Sequence, residues 1–217
     1  MKTNTKRLTE SAMLLALAIV LELVSKAVIP NLPFGGQITL ASMLPVVLIS
    51  YRYGLKWGFV SSFCYALIEM VIGMKNVTAA FQPGTFGDGV MIGNAILMVS
   101  FDYLLAFTAL GLGGLFRGKV KNAGLSLCLG SVVSLFARYL CHAVSGAVLY
   151  GTWAEWFFTQ EGFPGWGAGI VSSVSPGALS WVYSLVYNGM YMLPEILVTA
   201  AAALLLGRVK PIVSKVA

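Results

Sequence analysis

LSWVYSLVYNGMYMLPEILVTAAAALLL, residues Leu179 to Leu206, carries one charged side chain, Glu195, and is followed at once by Arg208 and Lys210. At about 1.5 Å of rise per residue, a helix over this stretch outreaches the roughly 30 Å hydrocarbon core of a bilayer. An apolar run of that length with a basic stop reads as a transmembrane helix. Moving outward from it, hydropathy marks further spans at Thr9 to Ile29, Ile38 to Ser50, Gly58 to Met74, Val90 to Phe116 and Gly124 to Tyr150. The second is short, which predicts a segment tilted or partly re-entrant within the bundle.

Composition demands the same solvent. Of 217 residues, 58% are hydrophobic and 10% charged, and the mean hydropathy is +0.85. A soluble core of ordinary size has no place for so much apolar surface. The chain is expected to be an all-α integral membrane protein, a bundle of about six transmembrane helices in a lipid bilayer, with residues 1–217 forming one membrane-embedded domain. A formal charge of +6 would suit nucleic acid, but the basic residues flank the apolar runs instead of forming a patch. Lys2, Lys6, Arg7, Arg52, Lys56, Arg117, Lys119, Lys121, Arg208, Lys210 and Lys215 fall at one end of the spans, against Lys26 and Lys75 at the other. That bias predicts cytoplasmic amino and carboxyl termini, in agreement with an even number of spans.

Several classes of function drop out. Cys64, Cys128 and Cys141 lie in apolar runs with no CxxC pair or partner histidine, so they read as small core residues and not as metal ligands or disulfides. One histidine, no nucleophile beside a base and no ligand cluster argue against an enzyme and against any cofactor. GGLFRGKV, Gly113 to Val120, has the glycine and lysine spacing of a phosphate loop but puts Val120 where a hydroxyl must hold magnesium, so any ATP drive needs separate subunits. The two-fold internal repeat of many secondary transporters is not evident. The first run contains Glu22 and Lys26 and is too long for a signal peptide, so it is expected to stay as an anchor. On it Ala12 and Ala16 share a helical face, which suits either close approach by another helix or helix formation alone.

Polar residues inside the spans are the functional clue. An ionisable group there costs about 2.5 to 3.5 kcal/mol at mid-helix and so faces a cavity or a partner. By helical rise Glu69 stands roughly 20 Å from Lys56, Asp102 roughly 21 Å from Phe116 and His142 nearly 30 Å from Lys121. Asn188 reaches a similar level on the last span, so four helices deliver polar groups to the outer half of the membrane. Tyr65, Tyr103, Tyr150, Trp181, Tyr183, Tyr187 and Tyr191 gather there, with Trp153, Trp156 and Trp166 in the following loop. Such rings form either an interfacial belt or the walls of a pocket. A pocket with a carboxylate, a histidine, an amide and ring faces suits a flat heteroaromatic ligand, including a cationic one. His142 is either a ligand contact or a hydrogen-bonded structural group; Arg138 either neutralises Asp102 or Glu69 or does not; Glu195, after Pro194, is placed to satisfy local backbone.

The stretches RLTESAMLLALAIVLELV, PVVLISYRYGLKWGFVSSFCYAL, FDYLLAFTALGLGGLF, RYLCHAVSGAVLYGTWA and WVYSLVYNGMYMLPE cover well over half the chain. In this order the pattern resembles the thiamine-specific substrate-binding component of energy-coupling factor transporters. The resemblance implies a six-helix protein of a prokaryotic plasma membrane that binds thiamine from outside. It also implies docking on a transmembrane coupling subunit carrying two ATPase subunits. Carried over by position, Asp102 contacts the cationic or aminopyrimidine part of thiamine with Tyr103 beside it, His142, Tyr183 and Asn188 line the pocket, and Tyr65 and Tyr150 fall where some members stack a tryptophan. Ala12 and Ala16 match the face that packs on the coupling subunit.

This chain also departs from the family pattern. The outer segments 75–89 and 151–177 are longer and suggest a larger lid. Gly35, Gly36 and Gln37 to Leu40 stand where some members place an aromatic and a carboxylate, leaving Gln37 as the candidate contact from that side, with Glu69 and Tyr187 as further candidates. Two alternatives stay open: the same architecture serving another vitamin or a thiamine precursor, and a stand-alone small membrane channel or scaffold.

Overall fold

The computed structural model describes residues 2–30, 32, 36–86, 91–161 and 163–213. Gly35, positions 87–89 of the outer segment, Val90 at the expected start of the fourth span and Lys215 lie outside them. In chain order the helices are α1 (Lys2–Val28), α2 (Leu44–Tyr53), α3 (Leu55–Ile72), α4 (Met74–Ala80), α5 (Ile92–Gly114), α6 (Ala123–Leu149), α7 (Ala154–Thr159), α8 (Trp166–Ser173), α9 (Pro176–Leu206) and α10 (Lys210–Val213). No strand occurs among the described residues. Five of the helices, α1, α3, α5, α6 and α9, are long and apolar enough to cross a membrane. Their outward side chains are apolar, with Val28, Leu197 and Met13 about 70% exposed (72%, 70% and 67%), which is the surface that lipid covers.

The second expected span takes a different form. Residues 36–42 are non-helical and lead into α2, whose ten residues rise only about 15 Å. Leu44 to Tyr51 are all buried, so this segment is apolar because it sits inside the bundle and not because it faces lipid. Non-helical backbone at such depth needs partners from the protein. The Thr39 N–H and Oγ1 donate to the two carboxylate oxygens of Glu195, at 2.5 and 2.7 Å. The Leu40 N–H donates to Ser25 Oγ at 2.9 Å, and the Gly36 N–H donates to the Tyr187 hydroxyl at 3.1 Å. Glu195, 1% exposed and one residue past Pro194, thus serves the backbone of 36–42. Glu195→Ala is expected to lower stability by about 1 to 3 kcal/mol, because it orphans two buried donors, whereas Glu195→Gln keeps one acceptor and costs less. Thermal denaturation in detergent reads the difference.

Small residues set the helix packing. The start of α6 crosses the end of α9 where Gly124 meets Gly207 backbone to backbone, and Gly130 of α6 lies against the Gly113 carbonyl of α5. In lipid, where burial gives no hydrophobic drive between helices, such close approach supplies the van der Waals contact. Caps follow local chemistry. Asn122 accepts from the Leu125 N–H at the start of α6, and Pro176 opens α9 with its fixed φ. Gly54, at φ +89°, makes the reversal between α2 and α3 that a side chain would strain.

Arg52 and Arg7 tie elements together at the end of the bundle away from Lys26 and Lys75. Arg52 donates to Glu10 at 2.9 Å and to the carbonyls of Pro211 and Ile212, joining α1, the α2–α3 turn and α10. Arg7 lies 4.1 Å from the centre of the Trp57 ring, whose N–H donates to Ser11.

Candidate ligand-binding site

A cavity of about 650 Å³ opens among α1, α3, α4, α5, α6 and α9, toward the end of the bundle away from Arg7 and Arg52. That volume lies within the range of small-molecule sites. Asp102, Tyr103, His142, Tyr150, Tyr183 and Asn188 all line it, as do Gln37, Glu69 and Tyr187. Tyr65 does not. It is fully buried behind the wall, donates to Glu22 at 3.0 Å and meets Phe107 edge-on.

Asp102 sits in the middle of α5 where the helix widens into a π turn, Val99–Leu105. π turns inside α-helices recur at functional sites because they redirect neighbouring side chains. Here the two adjacent residues Asp102 and Tyr103 both reach the cavity. Asp102 Oδ1 is 2.9 Å from His142 Nδ1, and Oδ2 accepts from Ser145 at 2.7 Å. The Arg138 Nε–H donates to His142 Nε2 at 3.2 Å. Arginine has no acceptor, so Nε2 must supply a lone pair and the imidazole is neutral with its proton on Nδ1, directed at Asp102. Arg138 therefore reaches Asp102 only through His142. Its guanidinium lies 4.4 Å from the centre of the Phe107 ring.

Asn188 holds the two long helices together. Its amide N–H groups donate to the His142 carbonyl at 3.2 Å and the Ser184 carbonyl at 2.8 Å, while its oxygen accepts from Tyr191 at 2.6 Å. Gly146 permits this contact, since a β-carbon there would strike Ser184 and Asn188. Tyr183 and Tyr187 stack at 29° along α9, backed by Phe157 of α7, with ring centres 5.2 Å and 6.0 Å away. Phe86 meets Tyr150 edge-on on another wall. Tyr150, just beyond α6, has its phenol pushed above the usual range by burial, so it remains a neutral donor.

Residues 75–86 contribute Lys75, Asn76, Ala79, Ala80, Thr85 and Phe86 to the lining, so the described part of this outer segment is a wall of the cavity. The segment 151–173 instead backs α9 through buried Phe157 and Phe158. Trp153, Trp156, Trp166 and Trp181 are 43–53% exposed and line no part of the cavity, the arrangement of an interfacial belt. Ala12 and Ala16 are exposed on α1, while Ala18 is buried. Glu22 and Lys26, not among the site residues expected from the sequence, also line the cavity. An ion pair at i and i+4 inside a span was the available signal.

The model of a family described as thiamine transporter protein matches residues 8–83 and 86–161. The chain belongs to this family. Members of it are transporters and not enzymes. The thiamine transporter ThiT of Bacillus subtilis is 31% identical over 214 residues, covering 94% of this chain and 92% of that one. ThiT of Lacticaseibacillus paracasei is 25% identical over 157 residues, 68% of this chain and 61% of that one. A solved structure of ThiT from Listeria monocytogenes shares the fold, with a TM-score of 0.65 over 97% of each chain at 23% identity. This thiamine transporter family member is thus an all-helical, multi-pass membrane protein.

Proposed function

We propose that the chain captures thiamine in this cavity as the membrane component of an ATP-driven, energy-coupling-factor importer in a prokaryotic plasma membrane. The observation that carries the reading is Asp102, held by His142 and Ser145 within walls of tyrosine and phenylalanine. Thiamine is flat at both rings and carries a fixed thiazolium charge with no N–H on that nitrogen. Ring faces and a nearby carboxylate attract such a charge without a hydrogen bond. The names of the relatives support the choice of vitamin.

The direction of access follows from charge. Arg52, bonded to Glu10 and to the carbonyls of Pro211 and Ile212, belongs with Arg7 to the end that the positive-inside rule assigns to the cytoplasm, so the cavity at the opposite end opens outward. Ala12 and Ala16, exposed on α1, form the face that packs on the transmembrane coupling subunit, which carries two ATPases. Titration calorimetry on the detergent-purified protein is expected to show one-site, submicromolar binding of thiamine. Riboflavin and the isolated pyrimidine alcohol of thiamine should bind at least about a hundredfold more weakly, since each lacks the thiazolium charge. Tighter binding of either competitor would overturn the choice of ligand.

A further inference from the structure

The charged groups lining the cavity, sorted by partner, leave one carboxylate oxygen uncommitted. Glu22 is ion-paired with Lys26, accepts from the Tyr65 hydroxyl and meets the carboxyl group of Glu69, which Tyr65 also approaches. Asp102 is taken up by His142 and Ser145, and Arg138 by His142 and the Phe107 face. Glu69 of α3 is 4% exposed and lines the cavity, yet its Oε1 is buried with no hydrogen-bond partner among the described residues. Native proteins rarely leave such an atom unmatched unless a water, a ligand or an ion completes it.

We propose that Glu69 is a second ligand-reading group, on the wall formed by α1 and α3, accepting a hydrogen bond from a neutral donor of the bound ligand, a hydroxyl or an amino group. The inference rests on thiamine being the ligand and says which of its features this wall reads. The thiazolium nitrogen has no hydrogen to give, so it cannot complete Glu69. Thiamine has two groups that can, the amino group of its pyrimidine and its terminal hydroxyl.

The test is a cycle of variants and analogues by titration calorimetry, using thiamine, oxythiamine, in which the amino group is replaced by a carbonyl, and a thiamine analogue with hydrogen in place of the hydroxyl. Glu69→Gln and Glu69→Leu are made in the full chain. Thermal denaturation in detergent checks that each variant folds, and the near-isosteric Gln variant carries the test if the Leu variant does not fold. Both variants should bind thiamine about tenfold or more weakly than the unchanged protein. For one of the two analogues, the one lacking the group that Glu69 reads, variant and unchanged protein should agree within about twofold. Thiamine affinity unaltered in both variants, or an equal loss for all three ligands, overturns the assignment while leaving thiamine capture standing. No thiamine binding by the unchanged protein would sink the reading beneath it and the subsite with it.

Discussion

Asp102→Asn is expected to weaken thiamine binding by about 1 to 3 kcal/mol, roughly five- to more than a hundredfold, with little change in thermal stability. The unchanged carboxylate accepts from His142 Nδ1 and Ser145 Oγ, and an asparagine keeps the shape with one acceptor fewer. What the substitution removes is the negative charge. Arg138 then stands behind His142 with no carboxylate on the far side, and the cavity attracts a thiazolium less. Two readouts separate this from damage to the helix pair. A thermal transition close to that of the unchanged protein shows that the π turn and the Asn188 contacts survive. Binding of a neutral analogue of thiamine should fall much less than binding of thiamine. Unaltered thiamine affinity in a folded Asp102→Asn protein would remove Asp102 from the site.

Ala12→Trp and Ala16→Trp are expected to abolish thiamine uptake by cells carrying the cognate importer while leaving the affinity of the isolated protein within about twofold. Both positions are exposed on α1, a helix that packs on α2 and turns much of its surface outward. A helix pair in lipid is held by close van der Waals approach, and an indole in place of a methyl group forces the partner helix away over several residues. The cavity wall supplied by α1 comes from Glu22 and Lys26, about two or more turns further along, so ligand binding should not feel the change. Uptake and co-purification with the ATPase subunits should fail together. Uptake that persists in both variants would place the docking face elsewhere, and joint loss of uptake and binding would mean that α1 no longer folds onto the bundle.

Much of this molecule was legible in its residues. Runs such as Leu179 to Leu206 are long enough to cross a bilayer and too apolar to do anything else, and the end-to-end bias of lysine and arginine orders them. Helical rise was enough to bring Glu69, Asp102, His142 and Asn188 to one level, because a straight helix converts residue number into height. The shortness of Ile38 to Ser50 pointed to a place within the bundle, where Leu44 to Tyr51 are buried. Hydropathy, however, does not separate the side facing lipid from the side facing protein and so left the non-helical stretch at 36–42 unmarked. It also drew the tryptophans toward the cavity, although a ring at the right height can point either way around its helix.

Height was determined by the sequence alone; azimuth and pairing were decided by the tertiary structure. Which of several polar groups at one level meet depends on how the helices rotate and cross, and that is set by contacts between residues far apart in the chain, such as Gly124 with Gly207 and Gly146 with Ser184. Only then does Arg138 reach Asp102 through His142, Glu195 turn to the backbone of Thr39, and Glu69, on the cavity lining, keep a buried oxygen with no hydrogen-bond partner among the described residues. A hydrogen bond is lost within a fraction of an ångström, a tolerance that packing achieves and periodicity does not.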